Sequence, residues 1–348
     1  MGRDEARSRR VTRADVARAA GVSTAVVSYV MNGGPRPVAP ETAARVRAAM
    51  DDLGYRPNHA ARTLNLGTTR TIGVVLQDTL NPYFAELAGE IDRAARERGF
   101  GVLTAESHGD RDAERRLLSE LSDRQVDALL LASSGPPTTE PAVAAPRDPT
   151  TVLLDCAGPV AGHHTIGPDA ASGARAAVAH LAEVHGRRRI GMIIGPDGLA
   201  SPDPRLAGWR SETDARGVAR GALAVDDWSN AGGYRAARRL LDTGALPDAL
   251  FVGSDAQAIG VLRALLEAGI DIPRACPVVS FDGTGAGDFT WPALTSARQP
   301  VREMADLALA LVAHPDPDPR HHAFPVDLVV RESCGCPLTP PIAAPTDS

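Results

Sequence analysis

The sequence predicts an all-α helix-turn-helix headpiece followed by an α/β body of two parallel-sheet subdomains. Three observations carry that expectation. The first 53 residues read as three short helices, the first two joined by a tight Gly turn. From Thr71 onward, short β-rich runs alternate with amphipathic helices, the pattern of parallel strands covered by crossover helices. Charge divides in the same way. Residues 1–66 hold 11 Arg against 6 Asp plus Glu, and residues 67–348 hold 26 Arg against 37 acids, for a net charge of −6. A basic head on an acidic body points to a polyanion as the partner of the head alone.

In the head, Thr12 is a good N-cap before Arg13–Ala20, whose Val16, Ala17 and Ala20 share one face. Gly21 stands where that helix must stop and turn, and Ser23 can cap the next one. In GVSTAVVSYVMN, Val22, Val26 and Val30 recur at i, i+4 and i+8 and are expected to form the buried stripe. The other face carries Thr24, Ala25, Ser28 and Tyr29, better explained as a surface that enters a DNA groove than as core. The plainer alternative is a helical cap domain with a solvated face. The loop NGGPRPVAP, 32–40, ends this helix, and a third runs from Pro40 to Leu53 with Pro40 in its first turn. Pro57 breaks the preceding helix, and Asn58 can cap a further segment, His59–Leu64. That segment is too short to be helical alone, but it can fold on contact with a partner.

The body is too long for one six-stranded unit, so two similar α/β subdomains are expected. TIGVVLQD, GVLTAES, VDALLLASS, TVLLD and HHTIG read as strands, and PYFAELAGEIDRAARERG and DAERRLLSELSDR as helices between them. The pattern resumes with RIGMIIG, DALFVGSD, PVVSFDG and a late FPVDLVVRES. Residues 134–149 and 314–320 are Pro-rich connections. Ligands of open parallel sheets bind beyond the carboxyl ends of the strands. Candidates stand there: Asp78, Asn81 and Phe84 in DTLNPYF, Asp155 ending TVLLD, Asp255 after FVGS and Asp282 ending VVSF. Arg205 precedes LAGW, and Trp228 lies in DDWS. Carboxylates and an Arg suit several hydroxyls at once, and an aromatic face suits the apolar face of a sugar ring. Each has a plainer reading. A strand-terminal Asp, Asp255 above all, can be a helix N-cap, and Trp228 can be a packing residue.

Several classes are set aside. No apolar run reaches the roughly 18 residues of a membrane span, and the charged start lacks an apolar h-region. A cytoplasmic protein is expected. Disulfides are therefore not expected among Cys156, Cys276, Cys334 and Cys336. Cys334-Gly-Cys336 has no second ligand pair at zinc spacing, so no metal site is expected, nor any cofactor. The adjacent pairs His163-His164 and His321-His322 read as surface. GTGAGD, 283–288, lacks the order and the helical sequel of a phosphate loop. No Walker loop, HExxH or GxSxG argues for an enzyme. All basic residues are Arg, which suits phosphates and guanine edges but is better read as a trace of genome composition.

The stretches VTRADVARAAGVSTAVVSYVMN and VAPETAARVRAAMDDLGYRPNHAARTL resemble the headpiece of the LacI/GalR (lactose-repressor) family of bacterial transcription regulators nearly end to end. The resemblance continues to about Cys334. It implies a head over 1–57, a hinge helix and linker over 58–70, and a periplasmic-binding-protein-like effector and dimerisation domain over 71–340. It places the N-subdomain at about 71–167 and 298–323, and the C-subdomain at about 168–297 and 324–338. It implies that Thr12, Ser23, Ser28 and Asn32 position phosphates and that Thr24, Ala25 and Tyr29 read bases. Asn58 to Leu64 would form the hinge helix, with Leu64 wedged into the minor groove. A homodimer on a pseudo-palindromic double-stranded operator follows, with Asp155, Arg205 and Asp282 gripping effector hydroxyls and Trp228 stacking. Departures from the family pattern bear on specificity. Tyr29 stands where the family usually has Arg, Ala25 has no hydrogen-bonding side chain, and Ala39 replaces a Ser N-cap. Ser254 stands where sugar-binding members commonly have Asn. A sugar or sugar derivative leads as effector, with a nucleoside or a lost effector response as alternatives.

Overall fold

The computed structural model describes residues 11–32, 36–56, 68–132, 150–196 and 203–337. The chain divides into two compact units, Met1–Thr69 and Arg70–Ser348. Asn58, Leu64 and the connection 134–149 lie outside the described residues, as does the side chain of Asn32.

The first unit holds α1 (Arg13–Ala20), α2 (Thr24–Asn32) and α3 (Pro40–Asp52). Thr12 and Asp15 form a reciprocal capping box at the start of α1, and Gly21, at φ 65°, ends it in the left-handed conformation that glycine adopts without Cβ strain. Ser23 Oγ accepts from Val26 N at 3.3 Å, which caps α2. Ala39 precedes α3 without a side-chain cap, as its methyl dictates. The core is Val16, Ala17, Ala20, Val27, Val46 and Ala49, with Val22, Val30, Met31, Met50 and Tyr55 against it.

The α2 stripe is thus shifted by one residue from the expected one. Val27 is wholly buried and Val26 is not. At 3.6 residues per turn, Val27, Val30 and Met31 form the i, i+3, i+4 row that meets α1 and α3, and Val26 sits about 100° around the helix at its edge.

The second unit is built on two six-stranded sheets. The first sheet contains β1 (Thr71–Leu76), β2 (Gly101–Glu106), β3 (Ala128–Ala132), β4 (Thr150–Leu154), β5 (His164–Pro168) and, much later, β11 (His321–Phe324), all parallel in the order β11-β5-β4-β3-β1-β2. Helices α4 (Pro82–Glu97) and α5 (Arg111–Asp123) connect its strands. Fully buried runs such as ALLLA in β3 are what parallel strands covered on both faces require.

The second sheet contains β6 (Arg189–Ile194), β7 (Ala219–Val225), β8 (Ala249–Val252), β9 (Val278–Asp282), β10 (Thr295–Arg298) and β12 (Asp327–Val329), in the order β12-β10-β9-β8-β6-β7. Only β12 runs antiparallel to its neighbour. Its helices are α6 (Ala170–Glu183), α7 (Pro204–Ala215), α8 (Asn230–Asp242) and α9 (Asp255–Glu267); α10 (Val301–Ala313) returns to pack on the first sheet and α4. The chain passes between the sheets after β5, after β10 and after β11. These passages lie side by side, with Pro168 in register with Phe324 and Arg298 with Asp327.

Two strands, β7 and β10, go beyond the sequence expectation, and FPVDLVVRES is not one strand but the end of β11, a passage and β12. The reading of the His pairs as surface is also corrected for His164 and His321, and His163 keeps an exposed contact with Ala161 O. His164 is buried, its Nε2 3.0 Å from Asp316 O, and His321 Nδ1 lies 2.8 Å from Thr165 Oγ1, because β5 and β11 pair there. Gly285–Phe289 forms a 3₁₀ turn rather than the start of a phosphate-binding helix.

Candidate functional site

In the head, Thr12, Ser23, Thr24 and Ala25 are exposed, and Ser28 and Tyr29 are half-buried. The Thr12 hydroxyl donates to Asp15 Oδ2 at 2.6 Å and its backbone N–H donates to the same oxygen at 2.9 Å, which fixes where α1 begins. Ala25 and Tyr29 stand on the side of α2 opposite the buried Val27, with Ser28 beside them and Thr24 exposed in the first turn. A short helix packed by one side only leaves the other free for a groove.

In the body, the residues expected to bind a ligand fall into two groups. Asp155, Arg205, Trp228 and Asp282 come together, along with Tyr83. Tyr83 is buried at the first turn of α4, and its hydroxyl donates to Asp155 Oδ1 at 3.2 Å. Asp155 follows β4 at φ 57°. Burial pushes its carboxyl up to about 6, against the pull of the Arg205 charge and the Tyr83 hydroxyl. Burial likewise raises Tyr83 well above the usual phenol value, helped by the charges of Asp155 and Asp282.

Arg205 opens α7. Its guanidinium donates to both carboxylate oxygens of Asp203, at 2.9 and 2.6 Å, and to Gly253 O at 3.0 Å. Burial works against the Asp203 charge, but the guanidinium holds its carboxyl below the ordinary value. The guanidinium carbon lies 4.3 Å from the Trp228 ring centroid and 5.3 Å from that of Phe281. A Cβ at Gly195 would fall 2.0 Å from the same indole, so only glycine lets Trp228 settle there. The Trp228 ring thus meets the Arg205 guanidinium.

Asp282 ends β9 at φ 110°, a conformation that L-residues rarely adopt. Its Oδ2 accepts from Asp255 N at 3.2 Å and its Oδ1 from Gln299 Nε2 at 2.9 Å. Burial, and then the Asp255 charge, raise it well above the usual carboxylate range. Gln299 Oε1 is buried without a hydrogen-bond partner among the described residues.

The second group, Asp78, Asn81, Phe84 and Asp255, borders this site and makes structural contacts of its own. Asp255 is wholly buried, and four donors occupy it: Ser280 Oγ at 2.5 Å, Ser296 Oγ at 2.7 Å, and Thr284 N and Oγ1 at 2.6 and 2.8 Å. It braces β9 and β10 and has no lone pair left for a ligand. Nor is it the N-cap of α9, which is Ser254. Asn81 is the N-cap of α4, accepting from Tyr83 N at 3.1 Å. Phe84 is core, edge-on to Tyr83. Asp78 Oδ1 accepts from Leu80 N at 2.8 Å and closes a turn.

Sequence reasoning misses Tyr83, Asp203 and Gln299. Tyr83 lies inside the quoted DTLNPYF, and Asp203 two residues before Arg205, so proximity in sequence is a usable signal for both. Nothing in the sequence marks Gln299. The expectation about Cys334 and Cys336 also needs correction. A second pair exists, His180 and His185, and the four ligand atoms lie within 4.8 Å of one another.

A helix-turn-helix head and a two-sheet body with a charged, partly buried cluster between the sheets define a DNA-binding regulator that a small molecule can address. The chain belongs to the LacI family of bacterial transcription regulators and is not an enzyme. Residues 12–58 match the bacterial regulatory proteins of the lacI family, and residues 178–334 match the periplasmic binding protein-like domain. The chain is 34% identical over 307 residues to the ribose operon repressor of Escherichia coli (strain K12), covering 87% of this chain and 92% of that one. It superposes on the lac repressor dimer bound to operator and the anti-inducer ONPF with a TM-score of 0.82, at 26% identity, over 94% of this chain and 99% of that one. A CelR–cellobiose complex matches with a TM-score of 0.67 at 30% identity, over 93% and 100%.

Proposed function

We propose that the head, 1–57, reads a pseudo-palindromic operator through Thr24, Ala25 and Tyr29, with Thr12, Ser23, Ser28 and Asn32 on phosphates. Segment 58–70 would supply the hinge, with Asn58 and Leu64, and the body, 71–340, would bind the effector and dimerise. In a dimer the two recognition helices enter successive major grooves, about 34 Å apart. Tyr29 offers a ring and one hydroxyl where a bidentate donor would select guanine, so the operator departs from a guanine-centred pattern at that position.

The effector on this reading is a sugar or sugar derivative. The observation that carries it is the convergence of Asp155 from one sheet with Arg205 and Asp282 from the other. Two carboxylates that face a fixed guanidinium bind vicinal hydroxyls by accepting from them, while the guanidinium donates. Trp228 would stack on the apolar face of the sugar ring, with the Arg205 guanidinium against its indole. The names of the similar proteins agree in part, since they speak of ribose and cellobiose.

The test begins with an operator selected from a random DNA pool. Operator affinity is then followed by fluorescence anisotropy against pentoses, hexoses, disaccharides and nucleosides. One sugar class is expected to change affinity by about 5- to 150-fold, the usual span of allosteric coupling. Trp228→Ala should abolish that change and leave ligand-free operator affinity within about twofold, since the residue lies in the body and not on the head. A response to nucleosides alone would overturn the sugar reading.

A further inference from the structure

His180 lies in the last turn of α6, and His185 follows two residues past its end. Cys334 and Cys336 belong to the segment after β12, far along the chain from both histidines. Their side chains nonetheless converge. The two Nε2 atoms are 3.2 Å apart, and His180 Nε2 is 3.3 Å from Cys334 Sγ and 3.7 Å from Cys336 Sγ. His185 Nε2 is 3.5 Å from Cys336 Sγ. All four ligand atoms lie within 4.8 Å of one another. Cys334 is buried, and the other three side chains are partly so.

These spacings can be compared with the edges of a tetrahedron around an ion. With Zn–S of about 2.3 Å and Zn–N of about 2.05 Å, tetrahedral geometry sets N–N edges of about 3.35 Å and N–S edges of about 3.55 Å. The observed 3.2 Å and the 3.3, 3.5 and 3.7 Å fall on both sides of those values. Hydrogen bonding accounts for the cluster less well. Two neutral imidazoles that face each other through Nε2 share one proton at most, and both sulfurs are weak donors.

The chain is shaped to hold the four together. Gly335 adopts φ 107°, which turns Cys334 and Cys336 to the same side. A Cβ there would also lie 3.2 Å from the His185 ring. His180 stands ten residues along α6 from the passage after β5, about 15 Å at 1.5 Å per residue, so the cluster is separate from the effector residues.

We propose that His180, His185, Cys334 and Cys336 form a closed Cys₂His₂ zinc site that fastens the end of the body to α6. Two thiolates and two imidazoles in a tetrahedron suit Zn²⁺ above the harder divalent ions. With four protein ligands no position remains for water, so the role is structural. The fastened segment includes Arg331 and Ser333, which hold the chain after β12 to Leu294 O, just before β10, at 2.7 Å and to Val278 O of β9 at 2.6 Å.

The test uses the full chain, purified under reducing conditions, with metal measured by mass spectrometry and then replaced by Co²⁺. About one zinc per chain is expected, as is the intense visible absorption of tetrahedral Co²⁺ with thiolate-to-metal charge transfer. Cys336→Ser and His185→Gln, at the less buried ligands, should each lose most of the zinc while still binding operator, which shows that they fold. A wild-type chain that takes up neither ion, or variants that keep the full zinc content, would overturn the site. A different ion at one equivalent, lost in the same variants, would overturn its assignment to zinc. A disulfide between Cys334 and Cys336 in the reduced preparation would also overturn it.

Discussion

Asp155 shows what a single side chain contributes at the site. Its carboxyl is pushed up to about 6 by burial, so the folded protein favours the neutral form more than the unfolded chain does. The sign follows from linkage. The stabilisation is fully present below the unfolded value of about 3.9 and is lost as pH rises through about 6. Asp155→Asn should therefore be more stable than the wild type at pH 7.5, by on the order of 1–2 kcal/mol, with the gap closing towards pH 4.5. Urea midpoints at the two pH values check this, and a constant gap would count against it. The positions of Asp155, Arg205 and Asp282 are legible in the sequence because strand ends and their loops are where ligands of parallel sheets bind. The saturation of Asp255 is not, since its partners Ser280, Thr284 and Ser296 arrive from 25 to 41 residues away.

Among the elements, α2 gives the sharpest contrast between pattern and packing. Its Val spacing admits two stripes, and the position of α1 and α3 selects Val27. Val27→Ala should cost about 1–3 kcal/mol of head stability by leaving a cavity. Val26→Ala should cost no more than about 0.5 kcal/mol, as a partly exposed position does. Hydrogen exchange of the α1–α3 amides in the full chain separates the two, and equal losses would restore the expected stripe. The strands most readily read from sequence are those buried on both faces, such as β3 and β8. Those that escape notice have weak local signals. β7 is an edge strand written ARGALAV with one buried residue, and β10 has only four residues.

At the scale of the molecule, the head and body are legible as separate because their charge and periodicity differ. Leu64 belongs to the segment proposed to join them. Leu64→Ala should weaken operator binding strongly and reduce DNA bending, while binding to random DNA and to effector stays within about twofold, because those rest on phosphate contacts and the body. A gel-shift bending assay beside a titration on random DNA checks it, and an unchanged bend would remove the wedge.

The three passages between the sheets have a mechanical consequence. Three chain threads that run side by side, tied by the Pro168–Phe324 and Arg298–Asp327 registers and by Asp169 N on Phe324 O at 2.7 Å, behave like the knuckles of a door hinge. Such a row bends easily about the line through it and resists twisting and sliding. Whatever occupies the site can then set only an opening angle, so chemically different occupants would differ in degree along one path and not in the direction of the motion.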